Sequence, residues 1–184
     1  MKKIILTVLA LSIFITSKAQ DGETPEIADN ATSEVKLNAL FMVVGAFDVT
    51  YEYLLNQESG LGIEVFVPFD EEIRDDINYY VSPYYRLYFG KKYAAGFFLE
   101  GFGMLNSIKE TTFDFSQTVF DGPVIEREEN ITDFALGIGL GGKWLTNSGF
   151  VGELSFGIGR NLFNSSDVSE DFVGKLGITL GYRF

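Results

Sequence analysis

From Glu34 to the last residue, apolar and polar positions alternate with a period of two, as in strands whose two faces meet different media. The end of the chain is clearest. Phe172, Gly174, Leu176, Ile178, Leu180, Tyr182 and Phe184 alternate with Val173, Lys175, Gly177, Thr179, Gly181 and Arg183. Asp133 to Leu145 repeats the pattern, with Phe134, Leu136, Ile138, Leu140 and Trp144 set against Asp133, Ala135, Gly137, Gly139, Gly141 and Lys143. Carried along the chain, the alternation predicts strands over 35–44, 46–55, 61–69, 78–89, 95–107, 132–145, 150–160 and 172–184. An even count of strands about ten residues long predicts an all-β fold, an eight-stranded antiparallel transmembrane β-barrel that closes on itself.

The connections sort by length. Strands two, four and six are followed by short turns at 56–60, 90–94 and 146–149, and strands three, five and seven by longer segments at 70–77, 108–131 and 161–171. Short periplasmic turns and longer extracellular loops are the habit of outer-membrane barrels. The first long-side connection is an exception, expected as a tight link at Val44-Gly45-Ala46. The longer loops are acidic: Asp70, Glu71, Glu72, Asp75, Asp76, Glu110, Asp114, Asp121, Glu126, Glu128, Glu129, Asp167, Glu170 and Asp171 stand against Arg74, Lys109 and Arg127. This rim reads as a solvated surface in preference to a cation-binding one, because carboxylates hold calcium only where a dedicated loop converges them.

A soluble lipocalin-like carrier has the same strand pattern, so the direction of the faces decides. Lipocalins turn the apolar face inward and membrane barrels turn it outward. The polar face here is rich in glycine at 137, 139, 141, 157, 159, 177 and 181, while the same face of strands four and five carries Tyr80, Tyr84, Arg86, Tyr88, Phe98, Glu100, Phe102 and Met104. Small residues opposite bulky ones suit a narrow interior, so the polar face is expected inside. Its charges balance: Asp48, Glu52, Glu64, Glu100 and Glu153 face Lys36, Arg86, Lys143, Lys175 and Arg183 as an interior ion network. On the apolar face, Tyr53, Phe89, Phe97, Trp144, Phe150, Tyr182 and Phe184 fall at the short-turn ends, where an aromatic girdle meets a membrane interface.

Composition then removes most chemistry. The 184 residues include no Cys and no His, which excludes disulfides, zinc fingers, thiol catalysis and a Ser-His-Asp triad. A net charge of −12 argues against nucleic acid as a partner. Gly137-x-Gly139-x-x-Gly142 matches a dinucleotide fingerprint, but it sits inside a strand and lacks the strand-to-helix turn that cradles a pyrophosphate. Paired interior carboxylates suit a structural network better than acid–base catalysis, so no cofactor, metal or catalytic residue is expected. Lys2 and Lys3, an apolar run from Ile4 to Thr16 and small residues before Gln20 mark residues 1–19 as a signal peptide. Residues 20–33 read as a flexible acidic leader and 34–184 as the barrel.

The terminal Tyr182-Arg183-Phe184 resembles the C-terminal strand signal of bacterial outer-membrane proteins, which implies that Phe184 marks the chain for the barrel-assembly machinery. Lys36-Leu37-Asn38-Ala39-Leu40, Tyr51-Glu52-Tyr53-Leu54-Leu55-Asn56, Ser82-Pro83-Tyr84-Tyr85-Arg86 and Gly141-Gly142-Lys143-Trp144 resemble small OmpA- and OmpX-like barrels, and more narrowly a Bacteroidetes outer-membrane family with no assigned activity. The resemblance covers roughly residues 34 to 184 and implies an outer-membrane location and no catalytic residues. The expected function is a non-enzymatic envelope or surface-interaction role through acidic extracellular loops, for a monomer embedded in outer-membrane lipid. A narrow solute channel and a soluble lipocalin-like carrier are the alternatives.

Overall fold

The computed structural model describes residues 31–75, 77–114, 125–163 and 172–184. The expected signal peptide 1–19, leader residues 20–30 and the loop residues Asp76, Asp121, Asp167, Glu170 and Asp171 lie outside the described residues. The alternating segments pleat into β1 (Ser33–Asn38), β2 (Ala46–Asn56), β3 (Ser59–Pro68), β4 (Ile77–Tyr88), β5 (Gly96–Asp114), β6 (Ile125–Leu145), β7 (Phe150–Asn161) and β8 (Phe172–Arg183). Each strand pairs antiparallel with the next, and β8 returns to β1 with Glu34 opposite Arg183 and Asn38 opposite Thr179, closing an eight-stranded barrel. Ser33 and Phe184 exchange backbone hydrogen bonds of 3.0 and 2.8 Å at the short-turn rim. Ser33, assigned by pattern to the leader, is therefore the first residue of the barrel.

Two elements depart from the periodicity. The first expected strand, 35–44, is cut at Asn38, and Ala39–Val44 forms the helix α1 instead. These six residues are all apolar, so alternation has already failed there; as a strand they would carry apolar groups onto the charged lumen face as well. The Asn38 side chain accepts the Leu40 amide at 3.2 Å as an N-cap, and Gly45, at φ 125°, donates its amide to Phe41 O at 2.9 Å to end the helix. The link expected at Val44-Gly45-Ala46 is thus a whole helix.

The expected loop 108–131 is mostly strand. β5 and β6 stay in register from Gly96 opposite Lys143 to Asp114 opposite Ile125. β5 past Ile108 and β6 before Ala135 pair with each other alone among the described residues, and a two-stranded ribbon outside the barrel wall is not bound to a two-faced alternation. The loop after β3 also holds one helical turn, α2 (Glu71–Arg74), which Asp70 caps by accepting the Glu72 amide at 3.0 Å.

Candidate functional site

A barrel whose outward parity is apolar must fill its lumen with the other parity. Toward the short-turn rim that filling is ionic. Lys143 Nζ lies 2.7 Å from Glu34 Oε2, 3.1 Å from Glu52 Oε1 and 3.2 Å from Glu153 Oε1. Lys36 Nζ donates to Glu52 and, at 2.8 Å, to Glu153. Arg86 joins Glu100 through Nε at 2.7 Å, and through Nη1 reaches Glu153 at 2.9 Å and Glu52 at 3.2 Å. Lys175 Nζ bridges Glu64 at 2.9 Å and Glu100 at 2.8 Å, and Arg183 clamps Glu34 at 2.6 Å.

Aromatic rings hold these charges in place. The Arg86 guanidinium lies 4.3 Å from the Tyr84 ring centre and 4.2 Å from that of Phe98, and Lys143 sits 4.5 Å over Tyr88. The Tyr84 hydroxyl, at 3.1 Å, and the Tyr88 hydroxyl both donate to Glu52. The rings fit because the neighbouring strands β6 and β7 offer glycine beside them: Phe98 stands opposite Gly141, where a Cβ would lie 2.5 Å from Phe98 Cζ, and a Cβ at Gly157 would lie 3.0 Å from Phe102 Cε1.

Packed groups lie toward both ends of the lumen. At the short-turn rim Arg183 donates to Tyr93 O at 2.8 Å and Ala94 O at 3.0 Å, which draws the β4–β5 turn across the lumen. Ala94, held at φ 42°, is buried there with Leu54, Tyr88 and Phe98. At the long-loop rim Phe41 of α1 meets Phe66 edge-on at 5.1 Å, and Phe66 stacks on Tyr80 at 4.8 Å. Ile73 of α2, Ile77 and Val173 pack on the same aromatic cluster. Between the ionic and aromatic layers a cavity of about 10 Å³ remains, close to the least that holds one water.

All ten residues expected in the interior network are buried in the lumen, but the network itself exchanges one member. Asp48 is not part of it: among the described residues no cation lies within 4.0 Å of its carboxylate, and its bond is to Asn38 Nδ2 at 2.7 Å. Its register explains this, since Asp48 stands opposite Phe66 and so falls at the aromatic layer. Glu34 takes its place, fully buried against Lys36, Lys143 and Arg183. Its parity with Lys36 was the available signal, hidden because Glu34 borders the acidic leader. The oxygens of Glu34, Glu52 and Glu153 lie within 4.8 Å of one another, a spacing that could hold a metal ion. The Lys36 and Lys143 ammonium groups each reach all three carboxylates, so two fixed cations already fill that role.

The outer face carries the apolar parity. Tyr53, Phe89, Phe97, Trp144, Phe150, Tyr182 and Phe184 all point outward at the short-turn rim, with Ile138 near mid-height 72 % exposed. Phe47, Phe69, Tyr79, Phe163 and Phe172 form a second exposed aromatic set at the opposite rim, which the sequence reading did not single out. Phe47 and Phe69 touch at 4.9 Å between ring centres. Along β8 the ten-residue step from Phe172 to Tyr182 spans about 33 Å, or about 25 Å along the axis of a barrel whose strands tilt by about 40°. That is the height of a transmembrane barrel's apolar band.

The N-terminal β-barrel domain of OprF from Pseudomonas aeruginosa superposes on this chain with a TM-score of 0.54 at 14% identity, covering 84% of this chain and 98% of that one. This chain has that barrel's fold. Ail, the attachment invasion locus protein of Yersinia pestis, matches with a TM-score of 0.44 at 17% identity over 84% of this chain and 99% of its own. No protein-family model matches the chain, and no curated protein does.

Proposed function

We propose that the chain is a monomeric bacterial outer-membrane barrel, exported by its signal peptide, whose plugged lumen is structural and whose role is a non-enzymatic one in the envelope, carried by the acidic loops. The observation that carries this reading is the inversion of the barrel: fully buried Glu34, Glu52, Lys36 and Arg183 inside, and a continuous belt of exposed Leu, Ile, Val and aromatic side chains outside. An exposed apolar surface of that extent has no place in water and marks an interaction surface; lipid is the partner its cylindrical form and roughly 25 Å height fit. A lipocalin-like carrier needs the reverse arrangement of faces. A channel needs a water-continuous lumen, and the turn held by Arg183 together with the Phe41–Phe66–Tyr80 stack weighs against one. Paired carboxylates and the absence of histidine support a non-enzymatic role.

Cell fractionation tests the location. The chain is expected in the outer-membrane pellet, extracted by detergent and not by osmotic shock, and release by shock overturns the reading. Deletion phenotyping with pull-downs on the loops then tests the envelope role.

A further inference from the structure

The ion network is complete without Asp48. Glu34, Glu52, Glu64, Glu100 and Glu153 each meet at least one of Lys36, Arg86, Lys143, Lys175 and Arg183, five carboxylates with five cations. Asp48 remains, 2 % exposed, with Oδ1 lacking any hydrogen-bond partner. Asn38 cannot supply one. Its Nδ2 donates to Asp48 Oδ2 and Leu176 O, and its Oδ1 accepts the amides of Leu40 and Ile178. Lys175 is also committed, to Glu64, Glu100 and, at 3.4 Å, to Ser82 Oγ.

Asp48 lines the cavity of about 10 Å³ between the two layers. Thr50, Ser155 and Thr179 bring hydroxyl groups to the same cavity. Its charged walls are Asp48, Glu64 and Glu153 against Arg86 and Lys175, one negative charge in excess. A buried carboxylate that meets no cation, and whose one donor, Asn38 Nδ2, serves only Oδ2, is costly, and the surplus invites a counter-ion. We propose that the cavity beside the unpartnered Asp48 Oδ1 binds one small monovalent cation of sodium's size. The donors are all hard oxygens, the room is that of a single water, and one positive charge brings the walls to neutrality. A calcium ion would overshoot the charge and needs six to eight oxygens at about 2.3–2.6 Å. Occupancy would also reach α1, because Asn38 joins Asp48 on one side and caps the helix through Leu40 on the other.

The test compares the chain folded in detergent micelles in sodium chloride and in N-methyl-D-glucamine chloride, at equal ionic strength and constant pH. Sodium is expected to raise the urea midpoint saturably and to shift the amide resonances of Leu40, Gly177 and Thr179. Asp48→Asn is expected to abolish both responses. Thr179→Val, which keeps shape and removes one hydroxyl, is expected to weaken the sodium response roughly tenfold and serves if Asp48→Asn does not fold. Equal midpoints and unmoved resonances in the two salts overturn the proposal, as does an undiminished sodium response in Asp48→Asn. A midpoint in wild type that follows pH and ignores sodium assigns a proton to Asp48 and overturns it equally.

Discussion

Removing one buried cation separates a plug from a pore. Lys143→Met keeps an unbranched side chain, one atom shorter, and deletes a charge that touches Glu34, Glu52 and Glu153. Breaking a buried ion pair on one side costs about 3–5 kcal/mol, because a carboxylate is left without compensation. Here each of the three carboxylates keeps another partner, in Lys36, Arg86 or Arg183, so the loss should lie near the lower bound. Arg86→Met should lie near the upper one. Arg86 joins Glu52 and Glu153 to Glu100, and it fills the gap between the Tyr84 and Phe98 rings, so packing is lost with the charge.

With a urea slope of about 1–3 kcal/mol per molar, a loss of about 3 kcal/mol lowers the midpoint by about 1–3 M. Equilibrium unfolding in micelles measures this, and planar-bilayer recordings on the same preparations measure conductance. The expected order of stability is wild type, then Lys143→Met, then Arg86→Met, with no steady conductance in wild type. A Lys143→Met barrel that unfolds at the wild-type midpoint while changing ion preference in a conducting wild type would refute the plug.

Further substitutions test the two faces and the ends. Leu180→Arg and Ile138→Arg, on the outward face, should impair insertion into lipid vesicles by about 2–4 kcal/mol near the midplane, and folding yields equal to wild type would reverse the assignment of that face. Gly139→Arg should fail in micelles as well as in vesicles, since a Cβ there already lies 3.1 Å from Phe156 O, and folding yields in micelles show it. Phe184→Ala spares the backbone pairing with Ser33 and should lower the amount of barrel in the outer membrane while refolding in vitro is unchanged; equal losses in both assays would make Phe184 a packing residue only. The double change Lys143→Met with Glu153→Gln should recover much of the single-mutant loss by urea titration, because the network then again has as many cations as carboxylates.

Strand number and the direction of each strand's faces were legible because an alternation of two has only two phases, and glycine opposite Phe98 and Phe102 fixed which phase lies inside. What alternation could not reveal lay where the environment was not two-faced. Ala39 to Val44 meets the barrel mouth on one stripe only, so its uniform apolarity stood for a helix. The extended β5–β6 ribbon pairs with no third strand among the described residues, so no two-faced pattern marks it and its strands read as loop. Parity also gives no height: Asp48 and Glu52 share a face, yet one faces Phe66 and the other sits among three cations. Glu34 was lost at the opposite end, where an inward carboxylate adjoins an acidic leader and looks like part of it.

The placement of the charges suggests what the lumen gains from them. Three of the eight seams set opposite charges directly across from each other: Glu34 and Arg183 where β8 closes on β1, Arg86 and Glu100 between β4 and β5, and Lys143 and Glu153 between β6 and β7. A slip of one residue in any of these pairings would turn that strand's whole inward set outward, and a charge would enter the apolar belt. An apolar lumen of equal volume could match or exceed the ion network in stability, since buried pairs repay little of their desolvation. It would penalise the slipped register far less, because both faces of every strand would then suit lipid. The network is therefore better understood as fixing one register, above all at the β1–β8 seam, where six-residue β1 has the fewest pairs to hold it and Arg183 adds its bonds to the Tyr93 and Ala94 carbonyls.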